Sequence, residues 1–407
     1  MSAVSLRCRV CESEYPTVAS GSCVRCFGPL EPVYDWGAVA RDVSRERIEA
    51  GPRSLWRYAP LLPVDPPPDA AGGPGWTPLV SAPRVASELG VGEVLLKLDH
   101  CNPTHSFKDR VVGVASAKAL EVGADTLACA STGNLGNAVA ARAAKLGLRS
   151  VVLYPHTVEP EKLRATAVYG GEMVAVRGSY DDCSRLAVEL AGEVEWAFVN
   201  VNLRAYYAEG SKTLAFEIAE QLGWETPDAV VAPVASGALF TKIWQGFEQF
   251  DRLGLVEGSR PRIYGGQAAG CAPVAHAFAD ERRVSPVRPA TVAQSLAIGN
   301  PADGDLAAAT ARESGGAVYA TPEEEIGRNM ALLAETTGIF GETAAGVTLG
   351  ALREAVDRGE VDAADRVVLL VTGDGLKTPD PVQERLQPVE IDADADALLD
   401  RLGVAVS

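Results

Sequence analysis

GEVLLKLDHCNPTHSFKDRVVGVASAKALEVGADTLACASTGNLGNAVAARAAKLGLRSVVLYP, residues 92 to 155, carries the alternation that decides the fold. GEVLLKLD, TLACAS and RSVVLYP are apolar runs of strand length. Between them, FKDRVVGVASAKALEVG and GNAVAARAAKLG have the spacing of amphipathic helices. Such alternation predicts an α/β protein with parallel sheets. It continues through the strand GEMVAVRG, the helix SYDDCSRLAVELAGEV, the strand DAVVAPVAS, the helix FTKIWQGFEQFDRLG, and the strands RIYGGQA and RVVLLVTGDG. Two sheets are expected, one centred on residues 110 to 195 and the other built from both flanks. Open sheets of this kind bind ligands at the carboxyl ends of their strands, so a crevice between the two is the expected site.

Upstream of this body, residues 36 to 75 read as a helix and connector ending in PVDPPPDAAGGPG, whose prolines and glycines forbid regular structure. Residues 1 to 35 read as a small module with too few apolar side chains for a core of its own. Cys8, Cys11, Cys23 and Cys26 form two CxxC pairs there, a pattern that fits a structural Zn²⁺ site whose binding energy would hold the ribbon together. Cys101, Cys129, Cys183 and Cys271 stand singly and read as reduced core thiols. The acidic tail from Glu390 reads as a solvated terminal helix.

The chain has 407 residues, 47% of them hydrophobic, which is enough to bury substantial cores. Its formal net charge of -17 argues against a nucleic-acid or anionic-membrane partner, because phosphate surfaces would be repelled over most of the protein. No apolar run reaches bilayer-spanning length, and the first residues lack a signal peptide's pattern, so a cytoplasmic location is expected. An anionic ligand would have to meet local donors, such as glycine turns and helix N-termini.

Four motifs supply such places. In NPTHSFKDR, residues 102 to 110, Lys108 follows a strand-exit turn and Ser106 is a candidate N-cap for the helix after it. In ASTGNLGNAVA, residues 130 to 140, Ser131, Thr132, Gly133 and Asn134 lead from a strand to a helix N-terminus that could hold a carboxylate or phosphate. In VVAPVASGALFTK, residues 230 to 242, Ser236, Gly237, Ala238 and Leu239 could present successive N–H groups to a phosphate. In VVLLVTGDGLKTP, residues 367 to 379, a buried strand delivers Thr372 to another glycine turn. Each also has a plain reading, as a surface lysine or a capped helix start. His100, His156 and His276 carry no metal spacing and no role.

The ordered set GWTPL, LLKLDHCNPTHSFKDR, ASTGNLGN, PVASGALFTK, QSLAIGNP and VTGDGLKTP, running from about residue 55 to 380, resembles the fold-type II pyridoxal-phosphate (PLP) enzymes, and among them the threonine synthase family most closely. That resemblance implies two three-layer α/β/α subdomains with the cofactor in the cleft between them, in a catalytic body of residues 76 to 400. It further implies Lys108 as the Schiff-base lysine with Phe107 beside it, Asn134 at the cofactor's 3′-oxygen, residues 236 to 239 at its phosphate and Thr372 at its ring nitrogen. Ser131 and Thr132, with Gly133, would take the substrate α-carboxylate. The implied reaction converts O-phospho-L-homoserine and water to L-threonine and phosphate, and a homodimer is expected because such enzymes commonly form one.

Three positions depart from the family pattern. His105 stands where glycine is usual, and the phosphate loop reads ASGAL where relatives carry more Gly and Asn. In VNLRAYYAEGSKT, residues 201 to 213, Tyr207 occupies the place expected of a substrate-phosphate arginine, with Arg204 close by to substitute. A threonine or serine dehydratase and a cysteate-synthase-like replacement enzyme would use the same apparatus, and an inactive regulatory relic is the reading from outside enzymology.

Overall fold

The computed structural model describes residues 3–17, 21–131, 133–385, 388 and 390–403. Its first three strands, β1 (Ala3–Cys8), β2 (Glu14–Tyr15) and β3 (Leu30–Tyr34), form a small antiparallel sheet in the order β2-β1-β3. The body holds β4 (Leu79–Ser81), β5 (Glu93–Leu98), β6 (Thr126–Ala130), β7 (Arg149–Pro155), β8 (Glu172–Val176), β9 (Ala197–Phe198), β10 (Ala229–Pro233), β11 (Arg262–Ala268), β12 (Val318–Thr321) and β13 (Arg366–Val371). These make a six-stranded sheet ordered β12-β11-β10-β13-β5-β4 and a four-stranded sheet ordered β8-β7-β6-β9. All pairings in both are parallel except the edge strand β4, which runs antiparallel to β5.

The sequence dictates which strands lie in the middle. Val367, Val368, Leu369, Leu370 and Val371 of β13 are all fully buried, and such a run has no polar face to offer water. Each side chain of this kind stabilises the fold by about 1.5–3 kcal/mol when removed from water. By contrast β8, at the edge of the other sheet, exposes Glu172, Val174 and Ala175 and buries none of its residues fully. The cores divide as the sheets do: one large cluster packs the helix Ala238–Arg252 against β10 and β11, and another packs the helices Lys108–Glu121 and Asn134–Leu146 onto β6 and β7.

Two local readings need correction. Ser106 does not cap the helix Lys108–Glu121; Phe107 is the N-cap residue, without a side-chain cap, and Ser106 forms an antiparallel bridge with Gly373. The segment before the helix is thus held by the exit of β13. Cys101 is exposed on the loop after β5, whereas Cys129, Cys183 and Cys271 are buried thiols as expected. The terminal helix Ala395–Leu402 buries none of its residues, as its acidic composition foretold.

The ribbon's apolar side chains pack into the body. Its Leu6, Cys8, Cys23 and Leu30 join the same apolar cluster as Val111, Val114 and Tyr206 of the body. Arg9, just past β1, reaches Asp303 on the far side of the chain's sequence. Cys8, Cys11, Cys23 and Cys26 place their four sulfurs within 4.8 Å of one another.

Candidate active site

Each of the four motifs leaves the carboxyl end of a parallel strand: the Lys108 loop from β5, the 131–134 turn from β6, the 234–237 turn from β10 and Thr372 from β13. They converge on one cavity of about 680 Å³ between the two sheets. Lys108, Phe107, Ser131, Asn134, Ser236, Gly237, Ala238, Leu239, Arg204, Tyr207 and Thr372 all line it. Gly133 sits at the N-cap of the next helix, while Thr132 lies outside the described residues.

The lysine is held from several sides. Phe107 donates its backbone N–H to the carbonyl of Thr372 at 2.9 Å, and Asp374 donates to that of His105 at 3.2 Å, so the loops carrying Lys108 and Thr372 are joined along their backbones. His105 adopts φ 59°, the left-handed conformation, where glycine would meet no steric cost and histidine is a tolerated substitute. Behind the helix start, Arg110 is fully buried and bonds Asp99 through Nε at 2.7 Å and Glu217 through Nη2 at 2.7 Å. Lys97 adds a second cation to Glu217 at 2.7 Å. Burial alone would raise the Glu217 carboxyl, but Arg110 and Lys97 outweigh it and hold the group down at about 2.

Lys108 points into the cavity, where its Nζ donates to the Tyr207 hydroxyl at 2.7 Å. The surrounding protein strips it of bulk water and lowers its pKa to about 8, against the opposing pull of Glu342. With its pKa near 8 the amine is still mostly protonated at neutral pH, but its neutral, nucleophilic fraction is far larger than that of an ordinary lysine.

Ser131 Oγ accepts from the backbone N–H groups of Gly133 and Gly136, each at 2.9 Å, so the hydroxyl shapes the turn. Asn134 donates Nδ2 to Glu342 at 2.9 Å, and its Oδ1 accepts from Lys377 Nζ at 2.9 Å. The helix Ala238–Arg252 opens at the 236–239 turn, aiming its free N–H groups and positive dipole end at the cavity. Gly237 has φ 94°, and a Cβ there would stand 2.6 Å from the Asp303 carbonyl oxygen, so only glycine allows this close approach.

These residues suit a PLP molecule. A buried amine able to bond an aldehyde, a helix N-terminus for a phosphate, an amide and a hydroxyl for the ring all border one space. The buried oxygen of Ser295, also on the cavity wall, has no hydrogen-bond partner among the described residues. The four ribbon sulfurs likewise suit a tetrahedral metal: Cys8 and Cys26 are 3.4 Å apart and Cys11 and Cys23 3.5 Å apart. Zn–S bonds of about 2.3 Å require edges of nearly that size.

Several wall residues escaped the sequence reading. Glu342, Tyr180, Asn200 and Ser295 line the cavity, and Lys377 supports Asn134 from behind. Ser295 and Asn300 belong to QSLAIGNP, so a signal existed for them; Glu342 had none, because a lone glutamate before a helix is commonplace. The ribbon's Ser22, Phe27 and Pro29 also reach the cavity rim.

A family model described as pyridoxal-phosphate dependent enzyme matches residues 70–373. The threonine synthase of Methanocaldococcus jannaschii is 34% identical over 397 residues, covering 96% of this chain and 98% of that protein. The threonine synthase of Synechocystis is 40% identical over 327 residues, covering 79% of this chain and 82% of its own length. Among solved structures, diaminopropionate ammonia lyase from Escherichia coli superposes with a TM-score of 0.65 at 20% identity, covering 76% of this chain and 88% of that one, which bears on the fold alone. With the cavity's architecture and a relative matched almost end to end, the chain belongs to the threonine synthase family of pyridoxal-phosphate-dependent enzymes.

Proposed function

We propose that this protein converts O-phospho-L-homoserine and water to L-threonine and phosphate, with Lys108 as the catalytic residue. The observation that carries the reading is the meeting of Lys108, the 236–239 turn, Thr372 and Arg204 in one cavity of a chain whose full-length relatives are threonine synthases.

PLP, when bound, would draw electrons from the substrate's α-carbon, so that bonds at Cα, Cβ and Cγ can be broken in turn. Lys108 would hold it covalently, the N–H groups of residues 236 to 239 its phosphate, Asn134 its 3′-oxygen and the Thr372 hydroxyl its ring nitrogen, with Phe107 packed alongside. Asn134 has two Nδ2 hydrogens, so one can serve the cofactor while the other stays on Glu342.

Ser131, Thr132 and Gly133 would receive the substrate carboxylate at the 131–134 turn, orienting the Cα–H bond toward Lys108. Released by the incoming amino group, the neutral Lys108 amine would take the proton from Cα and return protons where the product needs them. Its lowered pKa supports that double duty. Arg204 would meet the departing phosphate, with Tyr207 occupied at Lys108 instead. Zn²⁺ on Cys8, Cys11, Cys23 and Cys26 would be structural, since four protein ligands leave no open position. We read residues 1 to 35 as ribbon, 36 to 75 as connector and 76 to 400 as catalytic body, in a cytoplasmic homodimer; among the described residues no helix is long and apolar enough to cross a membrane.

The cofactor-loaded protein is expected to be yellow, to be bleached by borohydride, and to release phosphate and threonine in equal amounts from O-phosphohomoserine. Lys108→Ala should abolish all three behaviours. Absence of phosphate release, with 2-oxobutyrate formed from threonine instead, would replace the synthase reading by a dehydratase.

A further inference from the structure

Lys108 and Arg204 are the two cations among the described residues lining the cavity. With Lys108 engaged by the cofactor, Arg204 is left for the substrate's phosphate, and the role assigned to its neighbours rests on that reading of the function. Arg204 already has a partner: its Nη2 donates to Asp303 Oδ2 at 2.6 Å. A carboxylate so placed cancels the charge that a phosphate would seek.

Asp303 is itself shared. Its Oδ1 accepts from Arg9 Nη1 at 3.1 Å, and Arg9 belongs to the ribbon, between Cys8 and Cys11. Glu31 also lies 3.5 Å from Arg9, but Lys242 meets it at 3.2 Å, and Glu209, which binds the same Lys242 at 2.6 Å, has Lys212 as a second cation, so these two carboxylates are balanced by two lysines. Two guanidiniums against one carboxylate leave the trio with a net charge of one positive unit; without Arg9 the remaining pair is neutral. Asp303 cannot easily drift away to suit its partners. It is nearly buried, its backbone N–H donates to the Ser236 carbonyl at 2.8 Å, and its own carbonyl packs on Gly237.

We infer that Arg9 is a positioning residue for substrate: from the ribbon it takes a share of Asp303, leaving the charge of Arg204 available to a phosphate in the cavity. The ribbon is thereby part of substrate recognition as well as part of the cavity's rim. Arg9 touches neither cofactor nor substrate and acts only through Asp303.

Steady-state kinetics on the full-length, cofactor-loaded protein test this. Arg204→Ala should raise the KM for O-phosphohomoserine, and an unchanged KM would overturn the assignment of Arg204 and this inference with it. Arg9→Ala should raise KM about tenfold with kcat held within about twofold, the signature of lost ground-state binding. Arg9→Lys should keep KM near the parent value. The decisive variant is Arg9→Ala combined with Asp303→Asn, which restores one net positive charge and should return KM to within about twofold of the parent. A KM that rises in Arg204→Ala but stays unchanged in Arg9→Ala overturns the inference while leaving the function intact. So does a raised KM that the double variant fails to restore, since loss of ribbon packing is not repaired by neutralising Asp303.

Discussion

The amine of Lys108 donates to the phenol oxygen of Tyr207 at 2.7 Å, across the cavity from one subdomain's helix start to the short helix Arg204–Glu209. Tyr207 stands where relatives were expected to carry arginine. A guanidinium there would face the amine as a like charge and disfavour its protonation. The phenol, whose own pKa burial pushes well up, stays neutral and serves as an acceptor. On the proposed function, charge recognition of the substrate falls to Arg204, one turn earlier.

The first prediction concerns pH. On the role proposed for Lys108, capture of PLP by the cofactor-free protein needs its unprotonated amine, so the rate should rise with pH and level off above about 8, where an ordinary lysine would still be climbing toward 10.5. Glu342 favours the charged amine, so Glu342→Gln should move the midpoint lower still. Stopped-flow absorbance across a pH series measures both, and a midpoint near the ordinary value would refute the burial argument.

Stability should depend on the charges beneath the lysine. Glu217→Gln leaves Arg110 and Lys97 short of a counter-ion in a fully buried place, and breaking a pair of that kind costs about 3–5 kcal/mol. Urea denaturation reads the loss directly. Because Glu217 is held at about 2 in the folded chain against an ordinary 4.5, its contribution is present above the unfolded value and is lost as pH falls through that window. The parent should therefore lose stability between those pH values more steeply than Glu217→Gln does.

The residues legible in the sequence are those whose chemistry is local. Lys108, the 131–134 turn, the 236–239 turn and Thr372 each follow an apolar run and precede a helix or tight turn, and that pattern is written in consecutive letters. What escaped reading is contact across distance. Asn134 and Glu342 meet although 208 positions separate them, and Arg9 meets Asp303 across 294. Ser106 misled for the same reason: its neighbours permit a cap, but Gly373 claims its backbone. The ribbon's cysteines stand close together in the sequence and could be read, whereas the body residues that complete its apolar face are distant and could not.

His105 gives a third test, on backbone conformation alone. At φ 59° histidine already bears most of what a non-glycine residue costs there. His105→Gly relieves that strain but frees the unfolded chain, two effects of about 1 kcal/mol that nearly cancel. His105→Val adds a β-branched side chain in the left-handed region and should lose about 1–2 kcal/mol more. Equal denaturation midpoints for the valine and glycine variants would show that the loop relaxes out of this conformation.

The last prediction concerns metal removal. In both knuckles a backbone N–H already faces a sulfur, Val10 toward Cys8 at 3.4 Å and Arg25 toward Cys23 at 3.3 Å, an arrangement that favours thiolates. Protein purified without chelator should therefore contain about one zinc per chain, the complement of a four-thiolate site. Stripping it, or making Cys11→Ser, should lower the melting temperature and open residues 3 to 35 to protease. Catalysis should suffer in a particular way: because Phe27 and Pro29 form the cavity rim and Arg9 lies between two of the sulfurs, KM should rise before kcat falls. Protein with negligible zinc whose melting and protease resistance match those of Cys11→Ser would instead mean that packing of Leu6 and Leu30 against the body suffices to hold the ribbon in place.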